Sequence, residues 1–380
     1  MTIKTESHHA PEVFRHMKRF SVSLIASLSI IILVVCSCGE KGDDGKNTPS
    51  GKTGTFSIIY SGNVGGKMNP CGCRIPLGGF ARRTTAIQTL RNEIDNMLIL
   101  DSGAMLYPHF YLYPPYDELA KMTAHIIADV SYKSGIDAQN VSSYDVVNTA
   151  DTLLYFDKKY PSKWLSANIV RRGTTDLVFE PDTVYDVGNF KVGVFGFMDK
   201  QSQAIDIFND ESPLDVLDPV ETVRKEVEKL KNSCDFIVAL AYMDLPEVRN
   251  VVSQVPGLNV VIVSHTREHT PSSDHHKFQP LMEANTILLR CPDGGRVLGR
   301  LDLSIARGSL EFIDAAGYMD LRPASVREKD PDPLQSTYKH EFIDLGPDIE
   351  RNRPIQDEIN AFTEMVKAYT DKLGIEYKVQ

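Results

Sequence analysis

The sequence predicts an α/β fold, and three observations carry that expectation. Apolar runs of strand length alternate with amphipathic stretches of helix length. Glycines gather where one kind of segment gives way to the other, above all between positions 62 and 79. No internal repeat is visible, so a solenoid or propeller is not expected.

Phe56-Ser57-Ile58-Ile59-Tyr60 reads as the first strand, followed by a Gly-rich loop over 62–79. A helix is expected over 81–94 and a buried strand over 97–100, then a helix over 116–134 with a clear apolar stripe. Segments 138–141, 164–167 and 192–197 read as strands. Asp218 as N-cap and Pro219 at the first position open a helix that runs to 231. Two more core strands are expected at 236–240 and 260–263. Segments 287–290, 298–305 and 310–315 read as a late antiparallel set around Gly294-Gly295. Residues 321–353 are Pro-rich and charged and read as a peripheral arm, with a terminal helix over 354–372.

The N-terminal region is of a different kind. Lys18 and Arg19 close a basic segment, and residues 20–36 are almost wholly apolar, too short for a comfortable membrane span and right for a signal-peptide core. Val35-Cys36-Ser37-Cys38-Gly39 resembles the lipobox of bacterial lipoproteins, with small Ser37 before Cys38 where Cys36 has bulky Val35. The alternative is an uncleaved N-terminal anchor, and either way the body would lie outside the cytoplasm. The expected organisation is a signal peptide over 1–37, a lipid-anchored tether over 38–54, a main domain over 55–318, and an arm with C-terminal helix over 319–380. The tether, Gly39-Glu40-Lys41-Gly42-Asp43-Asp44 and onward, has too few apolar groups to fold. The expected location is the bacterial cell envelope, with the lipid bilayer as partner through acylated Cys38.

The net charge of −10 comes from interspersed charges without a long basic run, so nucleic-acid binding is not expected. Four cysteines besides Cys38 belong to the body: Cys71, Cys73, Cys234 and Cys291. In an oxidising compartment each must be paired, metal-bound, buried or reactive.

The order of landmarks resembles the catalytic domain of the calcineurin-like metallophosphoesterases, the 5′-nucleotidase branch above all. The landmarks are Gly78-Gly79-Phe80-Ala81-Arg82-Arg83, Leu100-Asp101-Ser102-Gly103, Leu165-Ser166-Ala167-Asn168, residues 191–196, Val261-Ile262-Val263-Ser264-His265 and Leu298-Gly299-Arg300-Leu301-Asp302-Leu303. The resemblance spans roughly 56–315 and implies a two-sheet β-sandwich flanked by helices. It also implies two divalent metals, bridged by a carboxylate and held by His, Asp and Asn, that clamp a phosphate and activate water.

The metal motifs of that family are degenerate here. Its Asp-x-His falls on Asn63-Val64-Gly65, its bridging Asp on Ala104, its Asn-His pair on Ser143-Tyr144, and its strand-end His on Tyr242. Its final Gly-His-x-His becomes Ser264-His265-Thr266-Arg267, which keeps His265 and puts Arg267 in place of the second imidazole. One imidazole and one amide do not hold two divalent cations, so no binuclear centre is expected. Asp101 survives at a position that supports the loop.

Met68-Asn69-Pro70-Cys71-Gly72-Cys73 stands in the first metal loop and resembles a group of exported nucleotidase-like proteins with the same Pro-Cys-Gly-Cys. The loop leaves the carboxyl end of the first strand, where open α/β sheets place their sites. Arg82 and Arg83 begin the next helix, a setting that favours thiolate. With Cys291 and His265 the pair would complete a Cys₃His set suited to zinc or a similar soft metal. A thiol redox pair serving an envelope redox or metal partner, and a plain structural disulfide, remain alternatives. Cys234 reads as a buried small hydrophobe.

Lower-ranked features are a His-rich loop (His269, His275, His276) and an aromatic loop over the cleft (Tyr107, Phe110, Tyr111, Tyr113, Pro114, Pro115, Tyr116). Trp164 reads as core. Three functions therefore compete: a non-phosphatase envelope protein using the Cys pair for metal or thiol chemistry, a phosphoesterase with a remodelled site, and a non-catalytic ligand- or partner-binding lipoprotein.

Overall fold

A computed structural model describes residues 52–107, 116–146, 150–200, 212–264, 277–306, 309–315, 335–376 and 379. The proposed signal peptide, Cys38 and nearly all of the tether lie outside the described residues.

Strand β1 (Gly54–Ser61), helix α1 (Phe80–Glu93) and strand β2 (Met97–Asp101) form a β-α-β unit with parallel strands. Helix α2 (Asp117–Lys133) leads to β3 (Ala138–Asn140), and α3 (Ala150–Lys159) leads to β4 (Lys163–Leu165), each strand again parallel to the one before. After β5 (Ile169–Arg171) the chain makes the hairpin β6 (Asp182–Val187) and β7 (Phe190–Met198). Its two-residue turn is Gly188-Asn189, and Gly188 takes the left-handed φ of 59° that such turns need. Strand β8 (Leu214–Val216) returns to pair with β5. Helix α4 (Pro219–Leu230) has Asp218 accepting the Glu221 N–H at 2.9 Å, the cap that the sequence predicts. Then follow β9 (Phe236–Tyr242), α5 (Leu245–Gln254), β10 (Val260–Ser264), β11 (Leu281–Glu283), β12 (Thr286–Arg290), β13 (Val297–Ile305), β14 (Phe312–Asp314), β15 (Ser336–Asp344) and α6 (Arg353–Leu373).

Two large sheets result among the described residues, ordered β14-β15-β13-β1-β2-β3-β4 and β11-β12-β10-β9-β7-β6, beside the two-stranded β5-β8. Period-two alternation decides how they stack. Phe56, Ile58 and Tyr60 of β1 meet Val192, Val194, Phe236, Val238, Leu240 and Ile262 of the other sheet in one buried core. Ile59, pointing the other way, joins Ile87 and Leu90 of α1 and Ile355, Ile359 and Phe362 of α6. On the far side, Phe195 and Phe197 of β7 lie under Val223 and Val227 of α4 and Val248 and Val251 of α5. The molecule is a two-sheet sandwich with helices on both outer faces, the architecture that the sequence led us to expect.

Two sequence expectations are corrected. The late strands are not one antiparallel set: β12 is parallel to β10 in the second sheet, while β13 is antiparallel to β1 in the first. Residues 291–296 carry the chain from one sheet to the other, so Gly294-Gly295 marks a crossover. The segment read as a peripheral arm contains β15, which lies between β14 and β13, and α6 packs on the outer core. The polar run Ser-Thr-Tyr-Lys-His-Glu-Phe hides a strand because only one side of it is covered.

Candidate functional site

The parallel stretches β1-β2-β3 and β9-β10-β12 run in register, and the loops leaving their carboxyl ends meet where the two sheets come together. Ser102, just after β2, and Ser264, the last residue of β10, join across the sheets through their hydroxyls at 2.5 Å. Cys291, just after β12, has its sulfur 3.2 Å from the Ser102 hydroxyl. Gly62 is dictated by this contact, since a Cβ there would stand 2.0 Å from Ser264 Oγ. The loops after β1 and β2 are zipped together by Asn63 N–H to Gly103 O (2.9 Å), Gly65 N–H to Ala104 O (2.7 Å) and Gly66 N–H to Met105 O (2.9 Å).

At the family's metal positions the side chains are buried and tightly packed. Asn63 and Ala104 hold left-handed φ values of 53° and 58°, unusual for residues with a Cβ and a mark of loops constrained from all sides. Asn63 donates its Nδ2 to Cys291 O at 3.3 Å, and its Oδ1 is buried without a hydrogen bond. Ser143 and Tyr144 are buried, and the Tyr144 and Tyr242 rings meet edge-on at 6.2 Å. Burial, then neighbouring Tyr144 and Asp145, hold the Tyr242 phenol well above its ordinary range, so it stays protonated and offers no anionic ligand. Gly65 and Ala104 contribute no donor side chain. These residues do not fit a pair of bridged divalent cations, and among the described residues no three His, Cys, Asp or Glu side chains gather as a metal-ligand group. His265 and Arg267 lie outside the described residues, as do His269, His275 and His276.

A carboxylate that the sequence reading missed organises the floor. Asp145 accepts the N–H groups of Ala104, Met105 and Leu106, each at 3.0 Å, plus the N–H and hydroxyl of Ser142 at 3.1 and 2.6 Å. Asp101 does similar work one strand over. It accepts from the Ser61 hydroxyl at 2.5 Å and Gly103 N–H at 3.0 Å, and its carboxylate lies 3.6 Å from the Arg83 guanidinium.

The Cys pair lies on a loop of its own between β1 and α1. Cys71 N–H donates to Leu77 O at 2.8 Å, closing residues 71–77 into a compact loop. Arg82 Nη1 donates to Pro76 O at 2.5 Å and Leu345 O at 3.3 Å, bracing the loop from below. Cys71 is half-buried, with its thiol donating to Ile75 O at 3.8 Å, and Cys73 is exposed. Burial pushes the Cys71 thiol up, but neighbouring Cys73, the backbone at Leu77 and Cys73, and Arg296 outweigh it, so Cys71 is net acidified. Cys71 in turn raises Cys73. One thiol of the pair is thus set up as the nucleophile.

The predicted three-sulfur cluster does not form. Cys291 is fully buried in the inter-sheet core and held by Ser102, where burial drives its thiol far up, while Cys71 and Cys73 lie on the loop outside. The role foreseen for Arg83 is corrected: it is buried and turned to Ser61 and Asp101. Arg82, bonded to carbonyls, still faces Cys71, as foreseen. Lys67 and Arg296 face both thiols, and sequence spacing does not link them to the pair. Cys234 is only partly buried, with its sulfur 2.9 Å from where a Cβ on Gly193 would stand. Trp164 is core, and Tyr107 is buried in the same cluster. Tyr116 is partly buried against it, and Phe110, Tyr111, Tyr113, Pro114 and Pro115 lie outside the described residues.

No family profile matches the chain. The 5′-nucleotidase of Rattus norvegicus is 27% identical over 234 residues, 57% of this chain and 39% of that protein. The 5′-nucleotidase of Diplobatis ommata is 29% identical over 306 residues, 71% of this chain and 48% of that protein. The chain thus spans less than half the length of the first curated relatives that it matches. Among solved structures, the 5′-nucleotidase precursor of Thermus thermophilus aligns with a TM-score of 0.64 at 19% identity, over 83% of this chain and 59% of that one. The calcineurin-like phosphoesterase YfkN of Bacillus subtilis aligns with a TM-score of 0.62 at 18% identity, over 84% of this chain and all of that one. These relatives and structural neighbours are 5′-nucleotidases and calcineurin-like phosphoesterases. A sulfate thiohydrolase of Thermus thermophilus aligns equally well, with a TM-score of 0.63 at 13% identity. The described residues of this chain have the fold that those proteins share.

Proposed function

We propose that this chain is an envelope lipoprotein in which the nucleotidase-like fold has lost its binuclear metal site and presents Cys71–Cys73 as a thiol redox pair. The observation that carries the reading is the pair itself. Two neighbouring sulfurs, one acidified and one exposed, stand on the loop leaving β1 and face the cations Lys67 and Arg296. Two thiols with no third ligand among the described residues favour disulfide exchange over metal capture.

The test has two parts. The chain should show negligible turnover of AMP or a generic phosphate ester with Mn²⁺, Zn²⁺, Ca²⁺ or Mg²⁺. Its Cys71 and Cys73 should interconvert with a disulfide in a dithiothreitol redox titration. Robust metal-dependent hydrolysis would install the second reading, a remodelled phosphoesterase, which the similarity to 5′-nucleotidases supports. A pair that stays reduced, or stays oxidised, across the titration would end the redox proposal.

Anchorage is part of the same proposal. Ser37-Cys38 fits acylation of Cys38 after cleavage, and the bilayer is the partner that this implies. Mass spectrometry of the mature protein should find diacylated Cys38 at the N-terminus, and any other start would refute it.

A further inference from the structure

Two cations converge beside the thiol pair with little to neutralise them. Gly294, at φ 80°, leaves a notch in the crossover between the sheets. A Cβ there would stand 3.3 Å from Lys67 Nζ and 3.5 Å from Arg296 Nε, so both cationic groups reach one point. Lys67 makes no ion pair among the described residues, and Arg296 Nε is buried without a hydrogen bond. The groups that face Lys67 are Arg296, Asp293 and the two sulfurs of Cys71 and Cys73. Arg296 in turn faces both thiols. Burial first, and then Arg296, lower the Lys67 ammonium. With one carboxylate against two cations, a small anion is the missing element.

We infer that Lys67 and Arg296 form an anion subsite that steers carboxylate-bearing disulfides onto Cys71. This deepens the redox reading and rests on it. In the first step the Cys71 thiolate attacks one sulfur of R–S–S–R. A Cys71–S–S–R bond forms, the R–S–S–R bond breaks, and RS⁻ leaves. Cys73 then gives up its proton and attacks Cys71 sulfur, which releases the second RS⁻ and leaves a Cys71–Cys73 disulfide. The two thiol protons end on the two released thiolates, so the protein is oxidised by two electrons and the substrate disulfide is reduced to two thiols.

The test compares three disulfides on the fully reduced, full-length chain: anionic oxidised glutathione, neutral bis(2-hydroxyethyl) disulfide and cationic cystamine. Each rate is divided by that of a free cysteine peptide to cancel intrinsic reactivity. The normalised order should be glutathione, then hydroxyethyl, then cystamine, compressed by added salt. Lys67→Gln and Arg296→Gln should each lower the glutathione-to-hydroxyethyl ratio by about fivefold, the size of one exposed charge contact. That ratio is unaffected by any change in the Cys71 thiolate fraction. Ratios equal to those of the free peptide, or unmoved in both variants, overturn the subsite and leave the redox pair standing. No reaction with any of the three disulfides sinks the redox reading itself.

Discussion

Asp145 accepts the backbone N–H of Ala104 at 3.0 Å from directly beneath the loop that follows β2. The loop around Ala104 is held by a carboxylate turned inward to backbone donors.

That arrangement makes Asp145 a structural keystone with a measurable weight. Asp145→Ala would leave the N–H groups of Met105, Leu106 and Ser142 buried without an acceptor, while Ala104 N–H keeps the Ser142 hydroxyl at 3.0 Å. Each unsatisfied donor costs on the order of 1–3 kcal/mol, so the variant should lose at least ~3 kcal/mol. Urea unfolding should show a lower midpoint with the slope unchanged. A loss below ~1 kcal/mol would mean that water replaces the carboxylate and that the loop is not braced from this side.

His340 gives the fold a pH dependence. Its Nε2 lies 2.8 Å from the Tyr60 hydroxyl, and burial lowers the imidazole to about 4. Tyr60 is fully buried with its phenol raised well above the ordinary value, so its O–H donates and His340 Nε2 accepts, which requires the neutral ring. The folded imidazole titrates below the unfolded one at ~6.5, so the unfolded chain binds the extra proton between those two values. Its contribution is therefore complete above pH ~6.5 and is lost as pH falls toward 4, by roughly 2–3 kcal/mol. His340→Leu should flatten this part of the stability profile. An unchanged slope in the variant would assign the pH dependence to other groups.

Much of this was legible in the sequence, for a physical reason. Strands covered on both faces, such as Phe236-Ile-Val-Ala-Leu-Ala-Tyr242 and Val260-Val-Ile-Val-Ser264, are unbroken apolar runs that little else can explain. Strands with one face in solvent were not legible. Asp182-Thr-Val-Tyr-Asp-Val187 buries mainly its last residue and reads as a loop, and β15 reads as a charged arm. The site divides in the same way. Asn63, Ala104 and Tyr242 follow or end strongly apolar strands, which makes their places in the chain legible. Lys67, Arg296 and Asp145 act through contacts across distant chain segments, and no spacing records them.

The four described cysteines should react in an order set by exposure and acidity. Cys71 should alkylate first with iodoacetamide at neutral pH, because its thiolate is favoured, and Cys73 next. Cys234 should lag, since burial raises it. Cys291 should react only on unfolding. Cys73→Ala should move the pH midpoint of Cys71 alkylation upward by removing the neighbouring side chain that favours its thiolate. Peptide mapping that finds Cys73 reacting ahead of Cys71 would reverse the assignment of nucleophile and resolving thiol.

The Arg83–Asp101 pair, buried on both sides, predicts a stability penalty that itself depends on pH. Burial raises the Asp101 carboxyl, and Arg83 is the leading influence that pulls it back. Arg83→Met removes that influence and leaves a buried carboxylate held only by Ser61 and Gly103. Breaking such a pair on one side costs ~3–5 kcal/mol. The stranded carboxyl can escape part of the cost by taking a proton, and its folded value then lies further above the unfolded ~3.9. A group raised in this way contributes stability below its unfolded value and loses it as pH rises through its folded one. The deficit of Arg83→Met relative to the parent should therefore be largest near pH 8 and shrink toward pH 5. Adding Asp101→Asn to Arg83→Met removes the charge and should recover most of the deficit at pH 8 but little at pH 5. Equal deficits at both pH values, unaltered by the second substitution, would show that Arg83 stabilises the floor by packing on Phe80, whose ring lies 5.7 Å from its guanidinium carbon, and not by charge.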